Sequence, residues 1–200
     1  RPRGYHDVAF SDDGEIIGSD GSALVAVDRQ DNLRVYAPVS GAEGIDRLAD
    51  GTLIVASSEG LVKVSPEGAV VPLAPGVQAY GVTVGPDGLV YAGTNGVLYR
   101  VDPSSGSVDT YLDPQTLPEP FAARTINFDV DHSLMYIGSF GDTVYVLPID
   151  AQLNPVGSPR LRAKYLPPIA RIPISAPRSL SKNTQRRPLY FIAKASRDIS

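Results

Sequence analysis

The sequence predicts an all-β fold, and within that class a β-propeller of four-stranded antiparallel blades. Three observations carry the prediction. Short apolar runs rich in Val, Ile, Leu and Tyr are bounded by Asp-Gly and Asn-Gly pairs, the strongest short-range signal for strands joined by hairpins. The turns recur at a fixed period: Asp13-Gly14, Asp50-Gly51 and Asp87-Gly88 lie 37 residues apart, and Asp131-His132-Ser133 follows 44 residues later. Each unit also grades from apolar to polar along its length, as expected where neighbouring blades cover the inner strands and the outermost strand is an edge.

In chain order, the first strand of each unit is Val8-Ala9-Phe10, Ile45-Asp46-Arg47-Leu48, Val82-Thr83-Val84 and Ile126-Asn127-Phe128. The second, after the turn, is Ile16-Ile17-Gly18, Leu53-Ile54-Val55-Ala56, Leu89-Val90-Tyr91-Ala92 and Leu134-Met135-Tyr136-Ile137-Gly138. The third is Leu24–Val27, Leu61–Val64, Val97–Val101 and Val144–Leu147. A more polar fourth closes the first three units at Leu33–Tyr36, Ala69–Pro72 and Val108–Tyr111, and Pro72 is tolerated because an edge strand can spare an amide. A β-sandwich also has many short strands, but it gives no reason for turn chemistry to repeat at a fixed period. Helix is disfavoured because no dozen-residue window keeps 3.6-residue apolar spacing without Gly or Pro.

Residues 1–158 therefore divide into four blades, about 5–40, 41–76, 77–118 and 119–158. Propellers close at about 4–8 blades, and a six-bladed ring needs about 220–260 residues, so the expectation is four consecutive blades of a larger, incomplete propeller. The repeat fails near Asn154. Residues 159–200 form a Pro-rich basic tail with no Asp-Gly turn, expected to be a disordered extension or foreign to the propeller, as after a change of reading frame.

Charge follows the same division. Residues 1–159 hold 8 Lys/Arg against 21 Asp/Glu, a net −13, whereas residues 160–200 hold 10 against one acid, a net +9. An acidic body repels phosphate, which argues against nucleic acid as a partner. No apolar run approaches the ~20 residues that span a bilayer. The absence of cysteine excludes disulfide and thiolate chemistry and leaves the redox compartment open. The chain begins at Arg1 rather than Met, as a processed chain or a fragment does, and a periplasmic or secreted location is slightly favoured over a cytoplasmic one.

In a propeller the inner strands ring a central channel, and ligands bind at one mouth. Counting seven residues back from the Asp of each turn selects one residue per blade just before the first strand: His6, Glu43, Tyr80 and Arg124. All four are polar or ionisable beside apolar strands, so this channel-mouth column is the candidate site. Other polar groups read as structural. Asp12-Asp13 and the Asp129/Asp131 pair fall beside turns, where aspartates bond backbone amides. His132 reads as a solvated loop residue, and Tyr36, Tyr91, Tyr99, Tyr136 and Tyr145 read as packing between blades. No EF-hand loop, phosphate-binding loop, nucleophile elbow or zinc-type His/Cys cluster is present.

The pattern Glu43-Gly44 … Asp50-Gly51-Thr52-Leu53, with Gly81 … Pro86-Asp87-Gly88-Leu89-Val90-Tyr91, resembles the superfamily of senescence marker protein, gluconolactonase and luciferin-regenerating enzyme over roughly residues 5–157. That resemblance implies a six-bladed propeller with one divalent metal, calcium or zinc, held in the channel by a Glu, an Asn and an Asp and assisting hydrolysis of lactones or related esters. Glu43 matches the acidic ligand. Arg124 stands where the Asn is expected and Asn127 lies three residues further on, so Asn127 is the second candidate ligand. No Asp-Gly strand opening follows Gly141-Asp142 to supply the third. Two functions are expected from this: a metal-assisted lactone or ester hydrolase, or a non-catalytic propeller binding a small molecule at the channel mouth or a protein partner. An Arg, a His and a Tyr suit an anionic or sugar-like ligand.

Overall fold

Among the described residues sixteen strands, in chain order, build four separate antiparallel sheets of four strands each. The computed structural model describes residues 7–113, 121–140 and 143–164, all within one compact unit, Arg1–Tyr165. Blade 1 is β1 (Val8–Phe10), β2 (Ile16–Ser19), β3 (Leu24–Val27) and β4 (Leu33–Ala37). Blade 2 is β5 (Ile45–Arg47), β6 (Leu53–Ser57), β7 (Gly60–Val64) and β8 (Val70–Pro75). Blade 3 is β9 (Gly81–Val84), β10 (Val90–Gly93), β11 (Leu98–Val101) and β12 (Val108–Leu112). Blade 4 is β13 (Ala123–Asp129), β14 (Leu134–Ser139), β15 (Thr143–Pro148) and β16 (Arg160–Lys164). The only helical element among the described residues is one 3-10 turn, Val130–His132, between β13 and β14. The chain is an incomplete β-propeller.

Every sheet is a simple meander, because hairpin turns are short and antiparallel neighbours need no crossover. The outer strand of blade 4, β16, pairs with β15 through Val146↔Arg160 and Tyr145↔Leu161. It lies past residue 158, within the stretch 159–200 expected from the sequence to be a basic tail disordered or foreign to the propeller; Arg160–Lys164 instead forms the edge strand of blade 4. Pro72 sits exposed in β8, on the edge of its sheet. Residues 165–200, most of the basic tail, lie outside the described residues.

The innermost strands touch in succession, β1 against β5, β5 against β9 and β9 against β13. Each interface between blades has its own apolar core. Ala9, Ile17, Leu24 and Ala26 of blade 1 meet Ile45, Leu53, Val55 and Val64 of blade 2. Ile54 and Ala56 meet Val82, Val90 and Ala92 across the next interface. Tyr91 and Leu98 meet Ile126, Met135 and Ile137 across the third. Both faces of blades 2 and 3 are thereby covered, which is why their second strands read as continuous apolar runs. Every buried side-chain polar atom among the described residues has a partner, as a core that loses water requires.

Side-chain hydrogen bonds tie neighbouring inner strands, two of them from the equivalent positions Asp46 and Thr83. The Asp7 carboxylate accepts from Ile45 N–H at 3.1 Å, and the Asp46 carboxylate accepts from Val84 N–H at 2.7 Å. The Thr83 hydroxyl donates to the Ile126 carbonyl at 2.9 Å. Further out, the Tyr36 hydroxyl donates to the Pro66 carbonyl at 3.0 Å, Lys63 Nζ donates to the Pro103 carbonyl at 3.1 Å, and the Tyr111 hydroxyl reaches the Leu153 carbonyl. Each bond runs from one blade to the next.

The turn after the third strand repeats as well. Asp28, Asp102 and Asp150 accept backbone amides two or more residues ahead, and Ser65 does the same with its hydroxyl. Hydrogen bonds from Ser104 hold the Asp102 carboxyl down to about 2, and bonds from Asn32 and Asn154 lower those of Asp28 and Asp150. A carboxyl depressed in the fold stabilises it above its unfolded value of about 3.9, and loses that contribution as pH falls toward the folded value. Thermal unfolding followed by circular dichroism should therefore show Tm falling between about pH 4 and about pH 2, with a smaller fall in Asp102→Asn. An equal fall in the variant would show that Asp102 contributes nothing.

Candidate ligand-binding site

The starts of the inner strands are brought side by side by glycine. A Cβ on Gly44 would meet Gly81 Cα and Val82 N, each at 2.8 Å, so the Glu43-Gly44 backbone lies directly on the Tyr80-Gly81 backbone. A Cβ on Gly81 would fall onto the Arg124 carbonyl oxygen and lie 2.6 Å from its carbon. Glu43, Tyr80 and Arg124 therefore succeed one another across blades 2, 3 and 4. His6 lies outside the described residues.

The three positions differ in local setting. Glu43 precedes β5 by two residues and donates its N–H to the Ala56 carbonyl at 2.9 Å, prolonging the β5–β6 ladder. Tyr80 immediately precedes β9 and donates its N–H to the Gly93 carbonyl at 2.8 Å. Arg124 falls inside β13 instead of before it, because that strand starts at Ala123 and carries a register shift between Ala123 and Thr125. An irregularity of this kind re-aims a side chain.

Side chains gather around Phe140, a residue the repeat did not single out. The Arg124 guanidinium lies over the Phe140 ring, 3.9 Å from its centroid, and Tyr80 meets the same ring edge-on at 5.2 Å and 87°. Arg124, Tyr80 and Phe140 are all exposed, so the cluster is a surface platform. A cation over an aromatic face is held in place, and its outward N–H groups stay available. The signal for Phe140 was legible in retrospect. It is the aromatic member of a turn column that holds Gly21, Ser58 and Asn95 in the other blades.

Asn127 occupies the strand position equivalent to Asp46 and Thr83, on the face of blade 4 opposite Ile126, which packs toward blade 3. Among the described residues no three His, Asp or Glu side chains group so as to hold a metal ion. A positive guanidinium in the same row as Glu43 also opposes a second cation there. The described residues around Glu43 therefore do not fit a metal centre. His132 is exposed, and its Nδ1 lies 2.8 Å from Asp129 Oδ1, whose carboxylate raises the imidazole above its usual range. Two clefts lie at the opposite, Asp-Gly end of the blades. One of about 400 Å3 is lined by Leu48, Lys63, Val71 and Pro103, and one of about 160 Å3 by Asp12, Glu15, Arg34 and Arg47. Neither includes Glu43, Tyr80 or Arg124. The second is bridged by the ion pairs Arg47–Asp12 at 2.5 Å and Arg34–Glu15 at 2.6 Å, and Asp13 also lines it.

No family model and no curated protein matches this sequence. Solved structures do match its fold. An auxiliary nutrient binding protein from Bacteroides thetaiotaomicron superposes with a TM-score of 0.65 at 12% identity, covering 80% of this chain and 42% of the other. Regucalcin from Agrobacterium tumefaciens, described as a calcium-binding protein, gives 0.60 at 17% identity, over 78% of this chain and 58% of its own. A gluconolactonase from Xanthomonas campestris gives 0.59 at 13% identity, over 78% and 63%. The likeness establishes the propeller fold, and the chain spans less than two thirds of each of these proteins.

Proposed function

We propose that this chain is the ligand-binding part of a β-propeller, taking an anionic, hydroxyl-rich small molecule such as a sugar acid at the row formed by Glu43, Tyr80 and Arg124. The observation that supports this most is the Arg124–Phe140–Tyr80 platform: a fixed guanidinium for a carboxylate, beside an exposed aromatic edge and a phenol for hydroxyl groups. The nutrient-binding neighbour lends the reading support at the level of fold only. A periplasmic or secreted location belongs to the same proposal, and fractionation of cells expressing the chain tests it.

Calorimetry with gluconate as the probe tests the site. Binding should weaken at least about tenfold in Arg124→Ala and only partly recover in Arg124→Lys, which keeps the charge but loses the planar fork. Binding unchanged in Arg124→Ala would overturn the assignment. The second reading is a metal-assisted lactone hydrolase with Glu43 as one ligand and Asn127 another, favoured by the gluconolactonase and regucalcin neighbours. Titration of Ca2+ and Zn2+ into the chain and its Glu43→Gln variant separates the two. Metal binding lost in Glu43→Gln favours the hydrolase, and binding indifferent to Glu43 removes it.

A further inference from the structure

We propose that Thr143 and Ser139 are positioning residues of the candidate site: their hydroxyls hold the main chain that carries Phe140 and leads into Arg124, and so aim the guanidinium. The assignment rests on the ligand-binding reading for its purpose, while the placement it claims is testable without a ligand.

A guanidinium on a long flexible stem is oriented only as firmly as the ring beneath it. Phe140 is 45% exposed, so core packing does not fix that ring and its main chain has to. That main chain is bonded on both sides. The Phe140 N–H donates to the Ala122 carbonyl at 3.2 Å, and the Phe140 carbonyl accepts from the Thr143 hydroxyl at 3.1 Å. The Ala122 N–H donates in turn to the Ser139 hydroxyl at 3.1 Å. Phe140 is thereby joined to Ala122, two residues before Arg124, in a closed circuit of bonds that returns through Ser139.

Thr143 is one of three buried polar residues among those described, the others being Ser19 and Ser57. A hydroxyl taken out of water has to be bonded, and the Phe140 carbonyl is its acceptor. Thr143 and Ser139 face each other across the β14–β15 ladder, so the two hydroxyls act from paired positions. The neighbouring ladder decides where Arg124 falls. β13 pairs Ala123 with Ser139 and Thr125 with Gly138, which makes Arg124 the extra residue of a bulge. Ser139 thus meets Ala122 by its side chain and Ala123 by its main chain, immediately before the bulged residue. Blade 3 holds the same segment by main-chain bonds: the Gly96 N–H donates to the Phe121 carbonyl, and the Ala123 N–H to the Thr94 carbonyl at 3.3 Å. The side-chain bonds on the segment's other side come from the two hydroxyls.

The protein has no tryptophan, so Phe140→Trp places a sole indole on the platform. In that background Arg124→Ala, which uncovers the ring, should raise fluorescence quenching by acrylamide about 1.5-fold. Thr143→Val keeps the side-chain shape but removes the hydroxyl, and should raise quenching by a similar factor. Ser139→Ala should do the same, and Thr143→Ser should stay at the parent value. With Phe140 in place, gluconate affinity should fall at least about threefold in Thr143→Val and return in Thr143→Ser. Quenching unchanged in both Thr143→Val and Ser139→Ala overturns the proposal, and a lowered urea midpoint without that change would mark the two hydroxyls as structural only. Quenching unchanged in Arg124→Ala overturns it as well, since the guanidinium would then not cover the ring. Quenching that responds to the hydroxyls, with gluconate binding indifferent to Arg124→Ala, would support the positioning and remove the ligand reading.

Discussion

Gly81→Ala should lower the unfolding free energy by about 3 kcal/mol, the upper part of the range for forced overpacking. The added methyl would meet main chain, the Arg124 carbonyl, and no flexible side chain is there to yield. Inner strands β9 and β13 would have to separate at the point where the candidate site is assembled. Urea denaturation checks the size, with Gly157→Ala as the control, because a Cβ at 157 meets nothing within 4 Å. Gluconate binding should fall along with stability at position 81 and stay unchanged at 157. A Gly81→Ala protein as stable as its parent would mean that the two strands do not approach as described.

Truncation of Tyr91 should cost more. Its side chain is fully buried and its ring meets those of Tyr111 at 5.0 Å and Phe128 at 4.8 Å. Tyr91→Ala should lose about 4 kcal/mol, as removal of a large core aromatic does. The hydroxyl donates to Asp87 Oδ2 at 2.9 Å, and burial, reinforced by that carboxylate, pushes its ionisation well above the usual phenol range. Tyr91→Phe should lose only about 1 kcal/mol, since the exposed Asp87 regains water. The ratio of the two losses, read from the same denaturation curves, separates ring packing from the hydrogen bond. Equal losses would assign the whole effect to the hydroxyl.

These two residues also show what was legible in the sequence. The period of the Asp-Gly turns and the apolar runs beside them were enough for the four sheets, since a fixed turn spacing and a two-residue alternation are both written in one dimension. Tyr91 was recognised as packing between blades for the same reason. The fourth strand of the last blade was not, because Arg160–Lys164, Arg-Leu-Arg-Ala-Lys, alternates over only two apolar residues, carries three cations and has no Asp-Gly turn beside it; an outer edge strand needs none. The bonds from Asp46 and Thr83 to the next inner strand were also hidden. A polar residue in an apolar strand reads alike whether it faces water or a neighbour's amide. In the candidate site, counting back from the turns found Glu43, Tyr80 and Arg124 as one row, but Phe140 comes from a different strand end and joins them only through packing.

The ties that run from each blade to the next carry a consequence for how the molecule responds to stress. A chain of units coupled only to their neighbours behaves as a one-dimensional array, in which an interior unit is held by two couplings and a terminal one by a single coupling. Opening then spreads inward from the ends, and the cost of a given substitution depends on where its unit stands in the array as much as on its chemistry. Among the described residues, the blades that carry Glu43 and Tyr80 pack against a neighbour on both faces, and the blade that carries Arg124 on one. The guanidinium proposed to grip the ligand thus sits on a blade whose described contacts lie on one side, so packing on its other face would steady the grip from a distance.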